Sequence, residues 1–323
     1  MPTIRALCIR EAGETDVLEL QERQLRDPGP GEILVRVAAA GVNRADVLQR
    51  RGFYPAPPGS PPDIPGLEYA GTVEATGDGV SLWKAGDAVM GIVGGGAMAS
   101  HLLVHEREAM PAPPNLSIEE AAAIPEVFLT AWDALFLQAG LRLGERVLLH
   151  AVASGIGTAA LQLALHAGAI PIGTSRSREK LDRCAAIGLR ESVLVEGGAF
   201  ARASKGANVI LDTVGAAYAT ENAKALSPGG RWVMIGLLGG ATGEVPLGLL
   251  LSKRAHLVGS VLRSRPLEEK AALARAFSRE IVPLFTVGKL RPVVDAVLPI
   301  ERAAEAHERM ERNETFGKLV LTL

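Results

Sequence analysis

Short apolar segments separated by turn residues dominate the first third of the chain. Residues 33–39, 70–76 and 88–93 have the composition of strands, and Pro-Gly, Gly-Asp and Gly-Gly-Gly turns lie around them. So many short strands in sequence are typical of a barrel-like β domain.

From about Ser117 the pattern changes to longer helical stretches that alternate with short apolar strands. The predicted strands are 147–149, 170–172, 209–211, 232–235 and 256–260. This alternation predicts a parallel sheet with crossover helices. Residues 296–323 return to strand, short helix and strand, and we expect them to pair with the N-terminal domain. The predicted division is a discontinuous domain, 1–124 and 264–323, around an inserted domain, 125–263.

Residues 147–163 combine a buried strand, a glycine turn and an amphipathic helix. Gly155 and Gly157, with Ile156 between them, leave space for a pyrophosphate in front of free N–H groups at a helix N-terminus. Ala160 stands where the third glycine of the dinucleotide fingerprint is found, and alanine is an accepted variant there. An ordinary strand–turn–helix is the alternative.

The second predicted strand, 169–173, ends without an acidic residue. Thr174 occupies the position where an NAD site places an acid for the ribose 2′-hydroxyl, and Ser175 and Arg176 follow it. Arg176, with Arg178 and Lys180 beyond it, suits a 2′-phosphate, so the sequence favours NADPH. The alternative is that these charges are solvated at the start of the next helix.

Composition narrows the class of protein. The 323 residues are 48% hydrophobic, with 34 basic and 36 acidic residues, which allows a large core and gives no basic patch for nucleic acid. No apolar run approaches the roughly 18 residues of a membrane span, and the N-terminus alternates like a strand. We therefore expect a cytoplasmic protein. Cys8 and Cys184 are predicted to be buried free thiols, and the six histidines show no ligand spacing.

Several motifs together resemble the zinc-free quinone oxidoreductases of the medium-chain dehydrogenase/reductase superfamily, over essentially the whole chain. They are GVNRAD at 41–46, PGLE at 65–68 and the segment 150–163. Within that family the chain is most similar to the tumour-suppressor-inducible quinone oxidoreductase group, through NRADVLQR at 43–50, GFY at 52–54, AAIPE at 122–126, GRWV at 230–233 and LRSR at 262–265.

The resemblance implies an α/β protein with a GroES-like, β-barrel-type catalytic domain and a Rossmann doubly wound parallel sheet, assembled as a homodimer. Zinc-dependent relatives carry a Cys within the segment that here is 43–46, and a His where this chain has Leu67. Glu68 alone cannot hold a catalytic zinc, because such sites use three protein ligands. A metal-free reaction is expected. NADPH-preferring relatives often have glycine at the Arg176 position and tyrosine within 193–195, so Lys180 is the best match to a phosphate contact.

Three polar residues match positions near the reaction in the family. Tyr54 is expected to donate to the acceptor oxygen, Ser154 to face cofactor and acceptor, and Asn43 to orient nicotinamide or substrate. The alternatives are a surface-loop tyrosine, a helix-capping serine and a turn-forming asparagine.

Further cofactor contacts are expected at five positions. Thr130 matches a family position near the nicotinamide ribose, and Gly236, Leu237 and Leu238 follow a strand end where such a sheet receives its cofactor. Arg263 is a candidate for phosphate or ribose. The alternatives are a packed helical threonine and a solvated interdomain arginine.

The resulting hypothesis is NADPH-dependent, metal-free hydride transfer to a quinone or another small activated electrophile. Two other functions remain open. One is an NADPH-dependent enoyl or 2-alkenal reductase on the same fold, and the other is a non-catalytic NADPH-binding protein.

Overall fold

The computed structural model describes residues 3–323, which form two compact units. Residues 130–261 make the nucleotide unit, and residues 3–129 with 262–323 make the catalytic unit. The predicted domain boundaries, 124/125 and 263/264, stay a prediction. The units change over inside the helix Pro125–Trp132 and just before Arg263.

Fifteen strands are formed by the described residues. They are β1 Thr3–Ile9, β2 Leu18–Gln24, β3 Glu32–Val42, β4 Glu68–Thr76, β5 Ala88–Ile92, β6 His101–His105, β7 Ala109–Pro111, β8 Arg146–Leu149, β9 Ile170–Ser175, β10 Glu191–Leu194, β11 Ala207–Asp212, β12 Leu226–Met234, β13 His256–Gly259, β14 Val294–Pro299 and β15 Lys318–Thr322. The strands predicted from the apolar pattern are confirmed, with ends that shift by a few residues.

Ten α-helices accompany these strands in the same part of the chain. They are α1 Arg44–Arg50, α2 Ile118–Ala122, α3 Pro125–Trp132, α4 Gly155–His166, α5 Arg178–Ala185, α6 Ala219–Ala225, α7 Leu247–Lys253, α8 Leu267–Glu280, α9 Val282–Thr286 and α10 Ala303–Glu311. A π-helical stretch, Asp133–Gln138, continues α3.

The nucleotide unit contains a six-stranded, all-parallel sheet in the order β10-β9-β8-β11-β12-β13. Counted from β8, this is the Rossmann order 3-2-1-4-5-6. Val147, Leu148 and Leu149 of the central β8 are all fully buried, because a parallel strand is covered on both faces. The predicted parallel sheet is therefore confirmed.

The catalytic unit contains a mainly antiparallel sheet in the order β14-β15-β3-β4-β5-β7, with β6 also paired to β3. β1 and β2 form a separate two-stranded sheet. Two register shifts in the β3–β4 pair, between Leu34 and Val35 and between Val37 and Ala39, mark bulges that increase the twist of the long β3. The C-terminal β15 runs antiparallel to β3, which confirms the predicted return of the tail to this domain.

Other expectations from the sequence are met locally. Cys8 lies in β1 and Cys184 in α5, and both are buried and free. None of the helices formed by residues 3–323 combines the length and apolar character needed to cross a membrane.

Candidate active site

The glycine turn lies between the central strand β8 and α4, as predicted. Ser154 caps α4, and its Oγ accepts a hydrogen bond from the Gly157 N–H at 3.1 Å. The capping role foreseen as an alternative for Ser154 is therefore present. It leaves the hydroxyl proton free to donate, because a serine oxygen accepts and donates at once. The turn around Ser154, Gly155 and Ile156 is half-buried, so it remains accessible to a ligand.

Gly157 is required by the turn itself. A Cβ at this position would stand 2.4 Å from the Ala151 carbonyl oxygen and 2.5 Å from that of Val152. Ala151 is already in the left-handed region, with φ of 48°. Because Gly157 has no side chain, the backbone that leads from β8 into the turn can pack against the first turn of α4. This packing requires glycine whether or not a pyrophosphate is bound.

A buried polar network stands behind this turn. The Asn222 amide donates to Asp212 Oδ2 at 3.0 Å, so its Oδ1 accepts from His150 Nε2 at 2.7 Å. His150 Nδ1 must then accept from the Thr174 hydroxyl, 2.9 Å away. Burial lowers the pKa of His150, in agreement with a neutral ring. Trp232 Nε1 also donates to Asp212 Oδ2, at 2.9 Å.

Thr174 and its neighbours take different positions at the end of β9. The Thr174 side chain is buried and directed at His150, so its hydroxyl proton is not available to a ribose. Ser175 is half-buried and Arg176 is exposed. Lys180 lies in the first turn of α5, where its N–H donates to the capping Ser177 hydroxyl. The end of this strand thus carries no carboxylate, as the sequence indicated.

Two buried hydroxyls in the nucleotide unit have no hydrogen-bond partner among the described residues. They belong to Thr130, on α3, and Thr213, directly after β11. One turn beyond Thr130, the Asp133 carboxylate accepts from Ser260, just past the end of β13. Both hydroxyls thus belong to the edge of the sheet where the parallel strands end, which is where such sheets bind ligands. Unpartnered hydroxyls at this edge of the sheet fit a dinucleotide, whose ribose and amide groups could bond to them.

The predicted residues Gly236, Leu237 and Leu238 are at the same edge, immediately after β12. The Leu238 N–H donates to the Thr213 carbonyl at 3.2 Å, which ties this segment to the end of β11. Leu237 and Leu238 are 48% and 56% exposed. Exposed leucines at the mouth of a sheet offer an apolar surface to a flat ring.

In the catalytic unit, a buried ion pair joins strands that are far apart in sequence. Lys318 Nζ lies 2.6 Å from Glu68 Oε1, and the two side chains are 4% and 0% exposed. Nζ also donates to Asn43 Oδ1 at 2.7 Å and to the Val42 carbonyl at 2.9 Å. The Asn43 amide donates to the same Glu68 oxygen at 2.9 Å. The expected role for Asn43 at nicotinamide stays a prediction, because both ends of its amide are engaged in this network.

Glycine and aspartate complete the support of this pair. A Cβ on Gly41 would lie 2.2 Å from Glu68 Oε1, so only glycine leaves room for the carboxylate. Asp46 forms a capping box with Asn43 at the start of α1 and accepts from the Gly66 N–H at 2.9 Å. Burial raises the pKa of Asp46 to about 6, although these two N–H donors oppose the rise.

Arg263 holds Tyr54 in place within the catalytic unit. The guanidinium lies 4.9 Å from the centroid of the Tyr54 ring and donates to the Tyr54 carbonyl at 3.2 Å. Its other nitrogens donate to the Gly94 carbonyl and to Gln49 Oε1. Only 4% of Arg263 is exposed, so little of it is left for a phosphate or ribose. The contacts seen for Arg263 hold the Tyr54 loop, and the expected contact of Arg263 with phosphate or ribose stays a prediction.

Tyr54 and Glu126 are the partly exposed acids of this region. Desolvation raises the pKa of Tyr54, the Arg263 cation opposes the rise, and the Glu126 carboxylate adds to it. The Glu126 N–H donates to Glu68 Oε2 at 2.8 Å, so the second oxygen of that buried carboxylate is also bonded. Burial, and then repulsion from Glu68, raises the pKa of Glu126 to about 8. Sequence reasoning used Glu126 only as part of a motif, considered Glu68 only as an insufficient zinc ligand, and missed Lys318, since nothing local marks a lysine in the last strand.

The described residues do not fit a catalytic zinc. No group of three or more His, Cys, Asp or Glu side chains within 3–323 has the geometry to hold a metal ion. Both oxygens of Glu68 are bonded, and an ammonium lies 2.6 Å from one of them. A second cation beside Lys318 would be repelled, so we derive no step through a metal.

Two family models match the chain. A model described as alcohol dehydrogenase GroES-like domain matches residues 29–114, and one described as zinc-binding dehydrogenase matches residues 189–321. Quinone oxidoreductase from Rattus norvegicus is 31% identical over 330 residues, covering 99% of this chain and 98% of that protein. The chain belongs to the quinone oxidoreductase family. That family is part of the medium-chain dehydrogenase/reductase superfamily, whose members bind a nicotinamide dinucleotide.

Solved structures agree with this family. The structure of an NAD-dependent alcohol dehydrogenase is 34% identical, with a TM-score of 0.87 and 99% of both chains covered. That of CurK enoyl reductase is 29% identical, with a TM-score of 0.88 and the same coverage. The predicted GroES-like domain and Rossmann-like parallel sheet are confirmed, and the chain is an NAD(P)-dependent oxidoreductase.

The glycine turn gives a first prediction. In Gly157→Ala the new Cβ meets backbone oxygens, so the turn must shift, and we expect the affinity for the reduced nicotinamide dinucleotide to fall at least tenfold together with the melting temperature. Fluorescence titration and thermal unfolding measure both. Gly248→Ala, on α7 with nothing within 4 Å of its Cβ, is the control and is expected to be neutral or stabilising by up to about 1 kcal/mol. Unchanged affinity and stability in Gly157→Ala would contradict the clash.

The buried ion pair gives a second prediction. Lys318→Met leaves Glu68 as an uncompensated buried charge, which should lower the free energy of unfolding by about 3–5 kcal/mol. Adding Glu68→Gln should recover much of the loss. Lys224→Met, which breaks an exposed pair with Glu221, should change it by less than about 1 kcal/mol. Urea unfolding of the four proteins measures this, and equal losses in the single and double variants would exclude the ion pair as the cause.

Proposed function

We propose that this protein is an NADPH-dependent quinone oxidoreductase that works without a metal. The observation that carries the proposal is the Lys318–Glu68 pair, which fills the buried polar centre of the catalytic unit with an ammonium bonded on three sides. With no Lewis acid available, an unactivated ketone or aldehyde is a poor hydride acceptor, because nothing neutralises the alkoxide that forms. A quinone delocalises this charge into an aromatic ring.

Bound cofactor would supply a hydride from the reduced nicotinamide. The glycine turn with Ser154, the orphan hydroxyls of Thr130 and Thr213, and the segment 236–238 are the groups we propose to hold it. Tyr54 is proposed to donate to the acceptor oxygen. Its ring is fixed by Arg263, so the phenol loses little rotational freedom when it binds the acceptor.

The residues at the end of β9 are the reason for proposing NADPH rather than NADH as the cofactor. Thr174 is turned inward and no acid takes its place at the end of β9, where an acid would repel a 2′-phosphate. Exposed Arg176 and the nearby Lys180 supply positive charge. The homodimer and the cytoplasmic location expected from the resemblance stay predictions.

A 2-alkenal or enoyl reductase is the second candidate. The similarity to CurK enoyl reductase over 99% of the chain favours it. Reduction of an alkenal passes through an enolate, which requires a hydrogen-bond donor at oxygen and a proton at carbon. Tyr54 is a donor that would serve this reaction too.

The direct test measures NADPH and NADH consumption after chelator treatment, with an ortho-quinone, a para-quinone and a 2-alkenal offered separately. We expect NADPH-dependent quinone turnover that chelation leaves unchanged. Turnover of the alkenal alone would assign the second candidate. Tight NADPH binding with no turnover would indicate a binding protein, and loss of activity on chelation would overturn the metal-free mechanism.

Lys180→Ala tests the cofactor preference. Removing an ammonium that faces a dianion should weaken NADPH binding about tenfold, or 1.4 kcal/mol, and change NADH binding by less than twofold. Fluorescence titrations give both affinities, and Lys289→Ala, an exposed lysine of the catalytic unit, is the charge-matched control. Equal losses for the two cofactors would remove Lys180 from the phosphate site.

A further inference from the structure

Glu126, Glu68 and Asp46 form a cluster of carboxyl groups in the catalytic unit, and Glu126 differs from the other two in its hydrogen bonding. Glu68 is bonded through both oxygens, and Asp46 accepts two backbone N–H groups. Glu126 also belongs to this cluster through its N–H, but its carboxyl makes no hydrogen bond to any residue from 3 to 323 and keeps part of its surface exposed. It is therefore the carboxyl of this cluster that remains available to a ligand.

Charged groups from several elements surround it. In decreasing order of their effect on the pKa of Glu126 they are Glu68 on β4, Lys318 on β15, Asp46 on α1 and Arg263 beyond β13. Glu126 in turn raises the pKa of Tyr54. The two carboxylates oppose a charge on Glu126, whereas the two cations favour it. Desolvation is the largest effect and the repulsion from Glu68 comes next, so together they outweigh the two cations and the pKa of Glu126 rises to about 8. The carboxyl thus keeps its proton at neutral pH.

We propose that Glu126 is the proton donor of the reaction, a role that rests on the proposed hydride transfer to a quinone or enone. The acceptor gains a hydride from the reduced nicotinamide dinucleotide and one proton from Glu126. The carboxyl O–H bond breaks, an O–H bond of the hydroquinone or a C–H bond of the saturated carbonyl forms, and a carboxylate remains. Its exposed side lets water return the proton before the next turnover.

The placement has a simple structural cause. Pro125 and Glu126 begin α3, and the Glu126 N–H at this first turn has no partner within the helix. Glu68 accepts it, so the buried carboxylate that repels the Glu126 side chain also fixes its backbone. Tyr54, with a pKa raised above its usual value, remains a hydrogen-bond donor over the range in which Glu126 titrates.

The first experiment follows kcat and kcat/KM from pH 6 to pH 10 with a para-quinone and a 2-alkenal. For the wild type we expect both to fall as pH rises through about 8, because the acid form is lost. Glu126→Gln should lower kcat about 10- to 100-fold at pH 7 and abolish this dependence, with NADPH affinity changed less than twofold. Glu126→Asp should be faster than Glu126→Gln, and its rate should again decrease at alkaline pH. Exposed Glu22→Gln is the control and should match the wild type.

The second experiment does not depend on turnover. A carboxyl whose pKa is raised on folding stabilises the protein below its unfolded pKa, and that stability is lost as pH rises through the folded value. The wild type should therefore lose stability relative to Glu126→Gln between about pH 5 and pH 8, measured by urea unfolding. A difference that stays constant with pH would overturn the proposal, whichever acceptor is reduced. A folded Glu126→Gln enzyme that keeps the wild-type rate and the wild-type decrease in rate at alkaline pH would also overturn the proposal. Absence of quinone turnover alone would overturn only the proposed acceptor.

Discussion

The contact between Lys318 and Glu68 organises the catalytic unit. It joins the C-terminal strand β15 to β4, and through Asn43 it fixes the point where β3 ends and α1 begins. A buried charge pair stabilises a fold only when every remaining lone pair and proton is bonded, and here the Asn43 amide, the Val42 carbonyl and the Glu126 N–H meet that condition. The glycine at 41 makes the space for it.

Three carboxylates within this cluster acquire different chemistry from their partners. Glu68 is bonded to a cation and an N–H group, Asp46 accepts from two N–H groups, and the Glu126 carboxyl has no hydrogen-bond partner among residues 3–323 and belongs to a half-buried residue. The same functional group becomes an ion-pair partner, a helix cap and a proton carrier. All three carboxyl groups are largely removed from bulk solvent. Their different chemistry therefore comes from the hydrogen bonds that each of their oxygens makes.

In the nucleotide unit a single buried carboxylate, that of Asp212, is bonded by uncharged donors and has no cation as its partner in this network. Behind the glycine turn, Asp212 accepts from Asn222, Trp232 and two backbone N–H groups, and a neutral His150 passes the network on to Thr174. This chain ties the ends of β8, β9 and β11 to one another. A rigid edge of that kind leaves Ser154, Thr130 and Thr213 as the polar groups that still have hydrogen-bonding capacity. Preorganised groups bind a flexible dinucleotide with less loss of freedom.

The sequence by itself determined the alternation of strands and helices in the nucleotide unit, the glycine turn between β8 and α4 and the family, because apolar periodicity and short motifs are local properties of the chain. Through the resemblance it also predicts that Tyr54 lies beside the reacting groups. Only the tertiary structure decided that Arg263 supports Tyr54, that Thr174 faces inward and that Lys318 neutralises Glu68. Side-chain direction and burial depend on residues that are far apart in the sequence, such as 68 and 318, and the ionisation of Glu126 depends on that distant pairing.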